Sequence, residues 1–183
     1  MSEDTFPRAT PGTYRLDPIH STVGISAMHK ISRFRSGVAE FDATLEVDDS
    51  GEMTLNGSAK AASIQVKNDE QYTHLQSPEF FDALRHPTVQ FRSTSVTLAD
   101  DETLVVIGDL TARGHTERVE LRGRLLYVAD DSHATERVGI DLETVIDRRR
   151  FGVTWNQRLP GGRYALSNEV TLTAEFELPK AKV

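Results

Sequence analysis

A strict two-residue alternation near the end of the chain constrains its fold more than any other feature. In Glu169 to Leu178, "EVTLTAEFEL", Val170, Leu172, Ala174, Phe176 and Leu178 share one face, while Glu169, Thr171, Thr173, Glu175 and Glu177 share the other. That period is the mark of a half-buried antiparallel strand, dry on one side and wet on the other. It recurs in Ala39-Phe41-Ala43-Leu45-Val47, in Met53-Leu55-Gly57-Ala59 and in Val119-Leu121-Gly123-Leu125-Tyr127. Asp48-Asp49-Ser50-Gly51, Asp100-Asp101, Asp130-Asp131-Ser132 and, after Pro160, Gly161-Gly162 supply turns between such runs. The pattern predicts about eight strands, near 13–29, 33–47, 53–66, 88–98, 103–111, 117–128, 135–146 and 164–178. An all-β barrel or sandwich follows. Residues 1–12, with Pro7, Pro11 and Gly12 and no periodicity, read as a flexible leader ahead of a single domain over 13–183.

Small residues at inward positions, Gly57, Ala59, Ala61, Gly123 and Ala174, have two readings. They leave room inside a closed sheet for a small ligand, or they let a tightly coiled sheet approach large side chains opposite.

The segment from Asn68 to Pro87 breaks the strand rhythm. Asn68 and Gln71 have capping-box spacing, and Asp69 to Leu75 suits two helical turns. Ser77 with Pro78 offers a second helical start, which Pro87 ends by disfavouring helix at His86. This predicts a short helical excursion near residues 69–86. On it Phe81 falls with Leu75 and Leu84, while Phe80 is displaced by about 100°, so the two phenylalanines need two apolar surroundings.

Composition removes several function classes. There is no cysteine, so disulfides, thiolate metal sites and a thiol nucleophile are excluded. A net charge of -7 argues against a general nucleic-acid binder. No stretch approaches the roughly 20 apolar residues of a membrane span, and the acidic start, Met1 to Arg8, has no signal-peptide pattern, which points to a cytoplasmic protein. The six histidines lack metal-ligating spacing, and no phosphate-cradling glycine motif or nucleophile elbow occurs. Asp17, His20 and Ser21 read as a polar cluster at the barrel mouth rather than a catalytic triad. The run Arg148-Arg149-Arg150 suits either pairing with acidic neighbours or anion binding. No catalytic residue, metal or cofactor is expected.

Taken in order, Tyr14-x-Leu16-Asp17-x-x-His20-Ser21-x-Val23, Phe41-Asp42-Ala43-Thr44-Leu45, Ala62-Ser63-Ile64, His74-Leu75-x-Ser77-x-Glu79-Phe80-Phe81-Asp82, Pro87-x-Val89-x-Phe91-x-Ser93, Gly108-Asp109-Leu110-Thr111-x-Arg113-Gly114 and Phe151-Gly152 resemble the YceI-like family over residues 13 to 179. The resemblance implies an eight-stranded antiparallel lipocalin-like β-barrel whose pore takes a long-chain amphiphile: a polyisoprenoid, an isoprenoid quinone or a fatty-acid derivative. Its members are often homodimers, and many carry a secretion signal that the pattern here does not show. Two positions depart from the family. Ser36-Gly37 alters the segment before Phe41, and Arg150 stands where an acidic residue is common, which suits an anionic head group.

The resulting expectation is a non-enzymatic protein that binds, sequesters or transports an isoprenoid or fatty-acyl amphiphile. Ile25, Phe41, Phe80, Phe81, Leu84, Phe91, Phe151 and Trp155 are expected in the pore wall, with His29 and Arg150 at the head group. Ten buried methylenes would contribute about 8 kcal/mol before ordering costs. The rivals are a filled barrel acting as a stress-related or structural interaction protein, and an enzyme using the barrel as a chamber, which needs converging polar groups inside.

Overall fold

The computed structural model describes residues 8–129 and 135–183; residues 1–7 of the expected leader and the expected turn at 130–132 lie outside the described residues. One antiparallel sheet curls into a lipocalin-like barrel. Its strands are β1 (Gly12–Arg15), β2 (Thr22–His29), β3 (Ser32–Gly37), β4 (Phe41–Val47), β5 (Met53–Lys60), β6 (Thr88–Leu98), β7 (Thr103–Ala112), β8 (His115–Val128), β9 (Arg137–Asp147) and β10 (Leu166–Pro179). They lie in the order β1-β4-β5-β6-β7-β8-β9-β10-β2-β3.

The count is ten strands, not the expected eight, because two expected strands each break. Residues 13–29 divide at a 3-10 turn, Pro18–His20, where proline offers no N–H to a ladder and Asp17 caps the turn by accepting from Ile19 N at 2.9 Å. Residues 33–47 divide at Val38 and Ala39: Val38 N still donates to Val23 O at 3.0 Å but Val38 also bridges Ile64, and Ala39 N donates to Ser63 O at 2.9 Å. The two parts of this long hairpin differ in register by two residues. Tyr14 faces Leu45, so an unbroken ladder would set Gly24 against Arg35, yet Gly24 faces Gly37. Such irregularities bend a strand pair and raise its twist, which helps the sheet to curl. Tyr14 then bridges Lys180 just past β10, and Ala181 N donates to Thr13 O at 2.7 Å. Next to this seam Ala9 packs on the core, and Thr10 donates to Glu136 at 2.5 Å, so residues 9 and 10 are held.

The excursion holds one helix, α1 (Asp69–Gln76), with Asn68 accepting from Gln71 N at 2.9 Å as its spacing predicts. The second helical start does not become a helix. Ser77 instead ends α1, its hydroxyl donating to His74 O at 2.6 Å, and the chain runs on in turns to Asp82, whose φ of 48° lies in the left-handed region that stops helical growth.

The interior divides along the barrel axis. On β10 the inward series runs Leu178, Phe176, Ala174, Leu172. Leu178 belongs to a packed cluster with Tyr14, Leu45, Leu104, Val106 and Val138. The other three border empty space. Gly123 serves close approach rather than room for a ligand: a Cβ there would be driven into the Asp141 carbonyl of β9.

Candidate functional site

The empty half of the barrel is a cavity of about 220 Å³. Its walls follow from strand alternation. Val23 and Ile25 come from β2, Phe41 from β4, Val89 and Phe91 from β6, Leu121 from β8, and Leu172, Ala174 and Phe176 from β10. Phe41 stacks on Phe176 with centroids 6.2 Å apart. Gly57 and Ala59 on β5, with Ala61 just past its end, keep this wall thin. Phe91 lies over Gly108, where a Cβ would come within 2.6 Å of its ring. The polar residues at the boundary, such as Asn56, Ser58 and Gln90, are exposed members of their strands and alternate with the inward ones. Thr144, between Leu142 and Ile146 on β9, adds a hydroxyl to the inner face. No pair of titratable groups converges inside among the described residues that line it.

Two connections cap this end: α1 with the turns to Pro87, and residues 148–165 between β9 and β10. Phe81 leaves the first connection to line the cavity. Phe80 points to the second, where it meets Trp155 at 5.5 Å, while His74 sits edge-on to both rings at 4.8 Å. The two neighbouring phenylalanines thus have separate surroundings, one in the cavity and one in the latch between the caps. His74 Nε2 lies 2.6 Å from Glu79 Oε2, which orients the imidazole. Arg113 joins the same two connections, donating to Gly152 O at 2.8 Å and to Pro78 O.

Of the sequence-predicted residues, Ile25, Phe41, Phe81 and Phe91 line the cavity. Phe80 and Trp155 sit in the latch. Phe151 is 3% exposed but packs in the cap, outside the lining. Leu84 does not reach the wall: it is 100% exposed, on the turn just past Asp82. His29 is exposed at the end of β2 and does not border the cavity. Arg150 also fails to reach it. Residues 148–151 form a 3-10 turn in which positions three apart eclipse, so Arg148 shares the buried side with Phe151 while Arg149 and Arg150 face water. Arg149 pairs with Asp147 at 2.7 Å, and Arg150 lies 3.7 Å from Glu117.

Arg148 is a structural residue whose role the sequence reading missed, since it serves neither acidic pairing nor anion binding, the two roles read for the arginine run. Only 5% exposed, it donates to Ser167 O, Val153 O and Trp155 O at 2.8–2.9 Å and so holds the second cap in shape. Burial draws its pKa down. Arg113 was missed too, although the motif preceding Gly114 contained it. The β10 wall was legible, since alternation had already placed Leu172, Ala174 and Phe176 on one face.

The polar cluster at the other end contains no triad. His20 Nδ1 lies 2.8 Å from Asp17 Oδ2, but the Ser21 hydroxyl accepts from Glu177 N at 3.0 Å. The Arg137 guanidinium, 3.8 Å from Asp17 and 3.2 Å from Glu177, supplies the positive charge these carboxylates need. Hydrogen bonding to His20 lowers the Asp17 pKa, and the same contact raises that of His20.

A sequence profile described as the YceI-like domain matches residues 14–178, spanning both the packed and hollow halves of the barrel. The chain belongs to the YceI-like domain family. A UPF0312 protein of Staphylococcus aureus (strain bovine RF122 / ET3-1) is 30% identical over 171 residues, covering 90% of this chain and 95% of its own. Among solved structures this YceI-like domain is similar in fold to Burkholderia cenocepacia BcnA (TM-score 0.72, 19% identity, 91% of this chain and 99% of that one). It is also similar to the Campylobacter jejuni YceI protein (TM-score 0.70, 24% identity, 84% and 88%). A third likeness is to a structure described as a polyisoprenoid binding domain from Saccharophagus degradans, implicated in plant cell wall breakdown (TM-score 0.66, 11% identity, 92% and 98%).

Proposed function

We propose that this YceI-like domain is a non-enzymatic carrier that takes the apolar end of a long-chain amphiphile, a polyisoprenoid, isoprenoid quinone or fatty-acyl chain, into its cavity. One observation carries the reading: half of the barrel is packed solid while the other half is an apolar void under a latched cap. The described wall offers hydrocarbon and a single inward hydroxyl, which suits a chain and leaves an enzyme without an acid or base. The polyisoprenoid binding domain of Saccharophagus degradans, similar in fold, supports the same ligand class.

Size sets how much of the ligand is inside. An apolar cavity of roughly 150 Å³ accepts benzene, so about 220 Å³ shelters roughly nine carbons at the same ratio. At about 0.8 kcal/mol per carbon this contributes about 7 kcal/mol before ordering costs. A polyprenyl chain is longer, so the cavity grips its end and the rest passes out beneath the cap.

Native mass spectrometry of protein purified from its own cells, followed by extraction of bound molecules, tests the reading. A stoichiometric hydrophobic ligand released on denaturation is the expected result. Protein that is always empty, and that also takes up neither farnesol nor palmitate, would overturn it in favour of an interaction protein.

A further inference from the structure

Two runs of this acidic chain contain no Asp or Glu: the one between Asp17 and Glu40, and the one between Asp147 and Glu169. They hold eight of its 21 lysines and arginines and none of its 28 acidic residues. The fold brings the two runs together. Leu166 pairs with His29, and Lys30 N donates to Ala165 O at 2.6 Å, so the tip of the β2–β3 hairpin packs beside the hairpin that closes at Gly161 and Gly162. Both lie at the hollow end of the barrel, since β10 runs from this tip past the cavity residues to Leu178 in the packed cluster.

We propose that this pair of hairpins is a surface that docks on an anionic lipid bilayer. Lys30, Arg33, Arg35, Arg158 and Arg163 are all exposed, and none makes an ion pair among the described residues, whereas most other arginines do. Between these cations Ile31 is 91% exposed and Tyr164 62% exposed. An unpaired cationic ring around a protruding aliphatic and a tyrosine matches the lipid interface, where charge meets phosphate and the apolar tip enters the acyl boundary. Cations on β3 also discourage pairing along that free edge, but this does not explain Ile31, nor two arginines on a connection outside the sheet.

The opposite end carries the opposite sign. The turns there contain Asp48, Asp49 and Glu52 between β4 and β5, and Asp100, Asp101 and Glu102 between β6 and β7; Arg8 pairs with Asp100 and Arg124 with Glu102, which leaves the others in excess. An anionic surface therefore attracts the hairpin pair and repels both these far turns and the exposed Asp69, Glu70 and Glu79 of the first cap, so the hairpin side of the hollow end meets the bilayer. If the carrier reading holds, this is the orientation in which a chain passes between bilayer and cavity; docking itself does not require a bound chain.

Vesicle flotation with delipidated full-length protein tests the surface. The probes are phosphatidylcholine vesicles with and without phosphatidylglycerol. Binding is expected only to the mixed vesicles, weakening with salt, and weakening about fivefold for each cation neutralised in Arg33→Gln, Arg35→Gln, Arg158→Gln and Arg163→Gln. Ile31→Ser is expected to weaken binding at every salt concentration. Asp49→Asn, on the far turn, is expected to leave it unchanged. Thermal melts of each variant confirm folding, and because all five hairpin positions are exposed they are expected to melt as the parent does. The proposal is overturned by absence of flotation, by flotation indifferent to the hairpin variants, or by equal retention on a duplex oligonucleotide that the same variants abolish. Flotation by protein that takes up no farnesol or palmitate would preserve docking and remove the carrier reading, so the two fail separately.

Discussion

Filling the cavity from its own wall separates a ligand site from incidental empty space. Ala174 stands midway along the inward series of β10, opposite Val23 on β2 and Leu142 on β9. The ring added by Ala174→Phe needs roughly 150 Å³, about two thirds of the cavity's 220 Å³. Of roughly nine sheltered ligand carbons about three would remain, a loss of about 5 kcal/mol of transfer free energy or between three and four decades in affinity. The empty protein moves the other way. Filling that volume stabilises by at most about 3.6 kcal/mol, offset by about 1–3 kcal/mol of repacking strain, so Tm is expected to stay level or rise. The assay pairs calorimetric titration with farnesol or palmitate with a thermal melt of unliganded protein. Parental affinity at parental Tm would place the ligand elsewhere and refute the reasoning. A marked fall in Tm would show that the space does not accept a side chain.

Two further perturbations test the cap. Arg148→Met removes the donor shared by the Ser167, Val153 and Trp155 carbonyls; about 3 kcal/mol of stability in urea is the expected loss, with emission of the sole tryptophan, Trp155, shifting to longer wavelength as the cap loosens. Beside it, the Arg149 guanidinium holds the Asp147 carboxyl down from its ordinary 3.8 to about 2. A depressed carboxylate stabilises the fold fully above 3.8 and ceases to do so as pH falls through about 2. The advantage of the parent over Asp147→Asn is therefore expected to be constant above that window and to vanish through it in an acid titration followed by Trp155 emission.

Much of the barrel was legible because one rule governs it. A strand that buries a single face must alternate, so Glu169–Leu178 declared both its conformation and its inward residues. The Asn68 cap was legible for a similar reason, because a side chain three residues from its acceptor N–H is a local relation. The strand breaks were not. Pro18 marks one, but the break at Val38 and Ala39 depends on Ile64 and Ser63, which are far away in the chain. Leu84 misled because helical spacing put it beside Phe81, while the left-handed turn at Asp82 sent it into water. Arg150 misled because an unusual residue type drew attention to it, when the eclipsed geometry of a 3-10 turn buries Arg148.

The sequence alone determined that the chain is an antiparallel β protein, which faces of its strands are apolar, where α1 begins and to which family it belongs, because each rests on contacts between near neighbours or on a pattern repeated along a strand. Only the tertiary structure decided that one half of the barrel is packed and the other hollow, that Arg113 and Trp155 latch the cap, and that two acid-free runs meet at its rim. These depend on which distant segments the curled sheet brings side by side, and alternation gives a face for every residue but no partner.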